Sequence, residues 1–239
     1  MRRLWILTAT VFAISGCGRY FPAALQPAAG QAEGMTANDD GSITYELDRL
    51  AITLRPMTDA ELNRQFASES SRGASSVNPY TFGDWFTPGE DWTPPRFTVF
   101  RLEVGNYQYP KVMLDPLNAS VTTANNRTYG SMSYADLYEY YQAYFQGRTG
   151  RARAEFRTRT DLLKRTMYRA ALVFSGMDGE GYLVFPLLHD DVRRIVVHIE
   201  DVALRFNYAD LPVETVDLSF SFERDMRQGY TPMDAVIRN

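Results

Sequence analysis

The sequence predicts a mainly β domain, an antiparallel β-sandwich carrying a helical insertion. Three observations lead there. Between Ile43 and Phe222, short alternating or nearly unbroken apolar runs are separated by Asn, Asp, Gly and Pro turns. Apart from one short N-terminal helix, helical periodicity is confined to about residues 133–168, so helices do not alternate with strands as in a parallel α/β sheet. The chain has 239 residues, 45% hydrophobic and 23% charged, enough for one good core or two small ones.

The elements follow in order. Ile43, Tyr45 and Leu47 alternate; Leu50, Ile52 and Leu54 alternate in shifted phase, so a bulge or turn is expected near Asp48–Arg49. Thr58-Asp59-Ala60-Glu61 is a capping box, which starts a short helix over about 59–68. Phe97–Val104 (FTVFRLEV) reads as a central strand, and Gly105-Asn106 turns the chain. Lys111–Leu114 and Asn118–Thr123 are strands split by Asp115-Pro116, and Ala124-Asn125-Asn126 turns again. A helix from Ser133 to about Phe145 groups Leu137, Tyr138, Tyr141, Tyr144 and Phe145 on one face, with Tyr140 projecting differently. Another helix covers Glu155–Thr166. Strands return at Arg169–Phe174, Tyr182–Phe185, Arg193–Ile199, Val202–Phe206 and Val213–Phe222.

The first 17 residues read as an address. Arg2 and Arg3 precede Leu4–Ile14, eleven residues without charge. That run is too short for a mature span, which needs about 20 apolar residues, and suits a signal-peptide core. It ends in Ile14-Ser15-Gly16-Cys17, an aliphatic residue, two small residues and the chain's one cysteine. This order resembles the lipobox of bacterial lipoproteins, in which small residues let a peptidase approach the scissile bond and only a thiol forms the thioether to diacylglycerol. The resemblance implies that residues 1–16 are removed, that Cys17 carries diacylglycerol and an N-acyl group, and that several acyl chains hold the protein on a membrane. In many lipoproteins of this kind the absence of aspartate after the cysteine directs the protein to the outer membrane, so by this resemblance Gly18 implies the outer membrane, with the domain in the periplasm or at the cell surface. Residues 18–41 are rich in Ala, Gly and Pro, so 17–41 reads as a flexible tether spanning about 25–30 Å. Residues 42–239 form a single sandwich domain.

The succession VFRLEVGN, VMLDPLNASV, TYGSMSYADLYEYY, GYLVFP and DVRRIVVHIEDVALRF resembles immunoglobulin-like sandwich domains of bacterial lipoproteins and envelope proteins, over about residues 97–223. That resemblance implies an immunoglobulin-like fold from families without assigned activity.

Composition narrows the function. With 25 basic and 29 acidic residues the formal net charge is −4, too acidic for a general nucleic-acid binder. One cysteine excludes an internal disulfide and a Cys-based zinc site. The two histidines fall in HDDVRRIVVHIED, where His189, Asp190, Asp191, His198, Glu200 and Asp201 can be read as a metal site or as a polar strand face. The plainer reading is preferred, since no HExxH-type spacing exists. No GxSxG, SxxK, GxGxxG or Walker loop is present. No cofactor is expected beyond the lipid on Cys17.

Two surfaces are candidates. Arg148, Arg151, Arg153, Arg157, Arg159, Lys164, Arg165 and Arg169 face only Glu155 and Asp161, a local net charge of +6. With Arg2 and Arg3 removed, the rest of the mature chain carries −12. Arg151, Arg153, Arg157 and Arg159 would offer an anion-binding patch, or a solvated helix face paired with the protein's own acids. In PYTFGDWFTPGEDWTPPRF (79–97), Tyr80, Trp85 and Trp92 could stack on sugars, or fold back over the core. The expected function is that of a non-catalytic, lipid-anchored envelope protein that binds a protein partner or supports an assembly. A peptidoglycan-binding module is the alternative, and an unrecognised hydrolase the third.

Overall fold

The phase shift at Asp48–Arg49 is a two-residue hairpin turn. Asp48 takes the left-handed φ of 54° that a tight turn demands, joining β4 (Ile43–Leu47) to β5 (Leu50–Met57) with Leu47 opposite Leu50 and Ile43 opposite Leu54. The computed structural model describes residues 19–86, 88–145 and 150–237. The leader, the lipobox with Cys17, and Arg148 lie outside the described residues.

The remaining strands are β1 (Arg19–Pro22), β2 (Gln26–Pro27), β3 (Met35–Ala37), β6 (Thr98–Asn106), β7 (Lys111–Met113), β8 (Ala119–Thr123), β9 (Thr128–Gly130), β10 (Leu172–Phe174), β11 (Met177–Phe185), β12 (Arg194–Phe206), β13 (Pro212–Glu223), β14 (Met226–Gly229) and β15 (Val236–Ile237). The helices are α1 (Asp59–Gln65), α2 (Ala67–Ser70), α3 (Tyr134–Phe145) and α4 (Arg151–Thr166). All strand pairs are antiparallel. One sheet has the order β11-β6-β5-β4-β3; a second runs β10-β7-β12-β13-β2, with β8 between β12 and β9; a third is β1-β14-β15. β7 and β8 lie end to end along one edge of β12, split by a 3-10 turn at Pro116–Asn118 in which the Leu117 N–H donates to the Asp115 carboxylate at 2.9 Å.

The first two sheets face each other. Ile52, Leu54, Phe100 and Leu102 meet Val197, Ile199, Phe220 and Phe222, all essentially inaccessible. Phe100 joins the layers, with ring centroids 5.5 Å from Phe222 and 5.8 Å from Phe185. Each such side chain contributes about 1.5–3 kcal/mol through burial. The chain is thus a mainly β sandwich. Four consecutive strands, β3 to β6, are sheet neighbours, a meander that the ABED/CFG order of immunoglobulin domains does not contain.

Strand alternation gives β6 and β11 a second face. Val99, Tyr182 and Val184 point away from the sandwich core, and α1, α3 and α4 cover them with Leu62, Phe66, Leu137, Tyr141, Leu162 and Leu163. The helical insertion is therefore a third layer.

Several expectations are corrected. Residues 19–41 are not a free tether: β1 pairs with β14, β2 with β13 and β3 with β4. Gln31 adds side-chain hydrogen bonds to Ser221, its amide donating to the carbonyl at 2.7 Å and accepting from the N–H at 3.1 Å. Residues 19–41 therefore belong to the folded body together with residues 42–237. The expected 59–68 helix breaks at Phe66 into α1 and α2. α4 begins four residues before Glu155. The strand expected at Arg169–Phe174 shortens to β10, because Tyr168 first crosses β11. β11 starts at Met177, and the strands expected at 193–199 and 202–206 are one strand, β12, bulged where Asp201 takes a φ of 57°.

Candidate functional site

A mostly apolar concavity lies where α3 starts, α4 ends and β11 passes beneath. α3 is positioned by a reciprocal cap: the Ser133 N–H and hydroxyl donate to Asp136 at 2.8 and 2.7 Å, and the Asp136 N–H donates to Ser133 Oγ at 3.0 Å. These bonds hold the Asp136 carboxyl below its usual pKa, the Ser133 hydroxyl contributing most. Just upstream, the Met132 N–H donates to the Val184 carbonyl at 2.7 Å, fixing the entry to α3 on the edge of β11. α4 ends when the Tyr168 N–H turns to the Tyr182 carbonyl at 3.0 Å. That crossing needs Gly181, since a Cβ there would lie 2.4 Å from Tyr168 N.

Between these elements runs a groove of about 440 Å³. Leu117, Met132, Tyr134, Leu163, Met167 and Tyr182 make most of its wall, so its lining is chiefly apolar. Leu117 and Tyr134 are 56% and 38% exposed, more than a closed core would leave. Tyr168 sits beside it, and burial pushes its phenol up to about 12. Lys164 and Arg169 stand on the rim. Among the described residues, neither has a carboxylate within ion-pair distance. Arg153 and Arg157 continue the cationic stripe along the exposed side of α4, again without a described ion pair.

The sequence candidates divide. Arg151 is exposed and pairs with Glu155 at 2.9 Å, one turn on. Arg159 is a correction: it is interior, not part of a surface. It donates to the Ser76 carbonyl, and its guanidinium lies 5.3 and 4.9 Å from the ring centroids of Tyr141 and Phe145. Tyr80 is likewise corrected from surface to core: it is fully buried, its hydroxyl meets Thr166 at 2.5 Å, and burial drives its pKa far above the ordinary tyrosine value. Trp92 stacks edge-on against Phe21 at 5.4 Å, and Trp85 lies 5.7 Å from Phe82, both half-buried. The loop folds back onto the body.

The His-acidic segment does not converge. His198 Nδ1 shares a hydrogen bond with Ser219 Oγ at 3.0 Å, Asp191 pairs with Arg127, and the Asp201 N–H donates to Asp217. Among the described residues no three His, Cys, Asp or Glu side chains are grouped to hold a metal. No described helix is long and apolar enough to cross a membrane.

No protein-family model matches the chain, and no curated protein matches it. Its fold is distantly similar to the crystal structure of the yjhA protein from Bacillus subtilis, at 7% identity over 74% of this chain and 93% of that one, with a TM-score of 0.34. That likeness is too remote to assign a fold family.

A second concavity, of about 590 Å³, lies beside α1 and holds Arg55, Asp59, Glu61, Arg64 and Arg224. Burial raises the Asp59 carboxyl to about 6, against the attraction of Arg96. Glu61 moves the other way: burial opposes its charge, but hydrogen bonds from Thr58 and the Arg55 and Arg64 guanidiniums hold it below its usual value. Arg55 is engaged by Glu61 and, at 3.9 Å, by Asp40, so this cleft is a largely self-compensated network. No catalytic or ligand-binding motif marks either concavity; the second contains only the capping box of α1. The groove's one sequence signal is the i,i+4 spacing of Leu163 and Met167 at the end of α4.

Proposed function

We propose that this chain is a lipid-anchored protein of the bacterial envelope, held by acylated Cys17 at the outer membrane, whose sandwich domain binds an acidic protein partner without catalysis. The anchor half rests on the order of basic residues, uncharged run and Ile14-Ser15-Gly16-Cys17. The binding half is carried by one observation: a mostly apolar groove between α3 and α4 whose rim cations, Lys164 and Arg169, have no described carboxylate partner. An apolar floor supplies contact energy, and a charged rim selects and steers the partner.

The test uses the full chain in its native cell. A photo-crosslinking amino acid at Leu117 should give a protein adduct, lost when Lys164→Glu and Arg169→Glu are combined. No adduct at Leu117, or one indifferent to charge reversal, removes the binding claim. An adduct whose mass shift is removed by muramidase would favour the cell-wall glycan reading. Separately, Cys17→Ser should abolish fatty-acid labelling and release the protein from membranes; unchanged labelling removes the anchor claim.

A further inference from the structure

We infer that the free face of the β1-β14-β15 sheet lies against the bilayer surface, so that the domain is seated on the membrane in one orientation rather than held off it on a leash. The inference rests on the lipid-anchor reading and extends it.

The first argument is reach. Cys17 is two residues before Arg19, where β1 begins. Two residues span at most about 7 Å. The headgroup layer on each side of a bilayer is about 5–8 Å thick. An acylated Cys17 therefore brings β1 to the headgroups, with no slack for the domain to stand away.

The second is the chemistry of what arrives there. Paired residues of neighbouring antiparallel strands project to the same face. Phe21, Arg227 and Ile237 form one row; Phe21 packs on Trp92, so the β1 end of that face looks toward the body, while Ile237 on the edge strand β15 is 52% exposed. Tyr20, Gln228 and Val236 form the adjacent row on the opposite face. Tyr20 is 47% and Val236 62% exposed. The turn from β14 to β15 adds Tyr230 at 72% and Met233 at 88%. Two tyrosines beside two aliphatic side chains match the amphipathic belt favoured at a membrane–water interface.

The third is rigidity. The turn is pinned: the Thr231 N–H and hydroxyl donate to Asp234 at 2.7 and 3.0 Å, and a Cβ on Gly229 would lie 2.6 Å from Ala235 Cα. Met233 is thus presented on a built loop. The β12–β13 hairpin tip, with Tyr208 fully exposed, lies at the opposite end of β13, about 36–40 Å along the strand from Glu223.

The experiment uses the protein as the cell makes it, reconstituted in vesicles of phosphatidylethanolamine and phosphatidylglycerol at about three to one. Cys17 is the chain's one cysteine and is blocked as a thioether, so Met233→Cys, Val236→Cys or Tyr208→Cys each adds a lone reactive thiol for a bimane label. Lipids carrying a shallow nitroxide should quench the labels at 233 and 236 at least threefold more than the label at 208. Equal quenching at all three sites, with fatty acid on Cys17, overturns this inference and leaves the anchor standing. Protection at 236 without lipid quenching overturns it in favour of a second copy of the chain on that face. Loss of fatty-acid labelling in the unmodified protein overturns the anchor reading and this inference with it.

Discussion

Tyr141 donates its phenol hydroxyl to the carbonyl oxygen of Pro79 across 2.6 Å inside the helical layer, and accepts from Arg96 Nη1 at 2.9 Å. One side chain of α3 thus ties the aromatic loop to the helices. Burial raises the phenol's pKa, against the pull of Arg96 and Arg159, so it stays protonated and able to donate. Tyr141→Phe leaves a buried carbonyl and a guanidinium each short of a partner. We expect a loss of about 1–3 kcal/mol in urea unfolding, with the far-ultraviolet spectrum unchanged.

Asp59 gives the protein a pH signature. It stands in the first turn of α1, where the helix dipole favours a carboxylate, yet burial dominates and raises its pKa to about 6. A raised carboxyl stabilises the fold in its protonated form. That contribution is complete below the unfolded value of 3.8 and is lost as pH rises through about 6. Asp59→Asn should therefore be more stable than the parent at pH 7, by about 1–3 kcal/mol, with the gap closing below pH 4. Unfolding midpoints between pH 4 and 8 provide the check; a constant gap would refute the assignment.

Arg157 and Arg159 are two residues apart on α4 and belong to different environments. Arg159→Ala removes a buried cation from its carbonyl and aromatic neighbours, and we expect about 2–4 kcal/mol of destabilisation. Arg157→Ala touches an exposed position and should stay within about 0.5 kcal/mol. Parallel thermal melts distinguish the two.

Much of this architecture is written locally, and the rest is not. The β4–β5 hairpin follows from the phase shift, α1 from its capping box, and the β7/β8 break from Pro116. β2 and β3 span two and three residues and have too little side-chain pattern to read; backbone pairing with β13 and β4 creates them. The start of β11, Met177-Asp178-Gly179-Glu180-Gly181, looks like a loop because it is an edge strand with one wet face. Arg159 was misplaced by counting charges. Its helical phase was informative, since it shares a face with Phe156, Leu163 and Thr166 at i−3, i+4 and i+7. The groove stayed hidden because its wall draws on Leu117, Tyr134, Met167 and Tyr182, which only the assembled layers bring together.

Gly181 shows how closely those layers meet. Its position leaves Tyr168 N 2.4 Å and Tyr168 Cα 2.5 Å from any added Cβ, and both are backbone atoms that cannot swing aside. Gly181→Ala must push the end of α4 off β11, which we expect to cost about 1–3 kcal/mol or more. It should also widen the groove. Amide exchange at Tyr168 should accelerate, while that of the β12–β13 ladder stays slow.

The N-terminal segment offers the sharpest contrast between a leash and a strand. Random coil over 19–41 would expose every amide and admit protease at Arg19. In the fold, β1 is held by four register pairs with β14, by the Phe21–Trp92 stack, and by the Arg19–Glu90 ion pair at 3.1 Å. The ion pair is exposed and adds at most about 1 kcal/mol; the ring stack contributes more, because it removes Phe21 from water. Residues 20–31 should therefore resist limited proteolysis in the intact protein and show slowed amide exchange. Phe21→Ala should free β1 selectively, giving early cleavage before Gln31 while the sandwich core remains protected. Cleavage at the same rate in the parent and in Phe21→Ala would mean that β1 is not held by this contact.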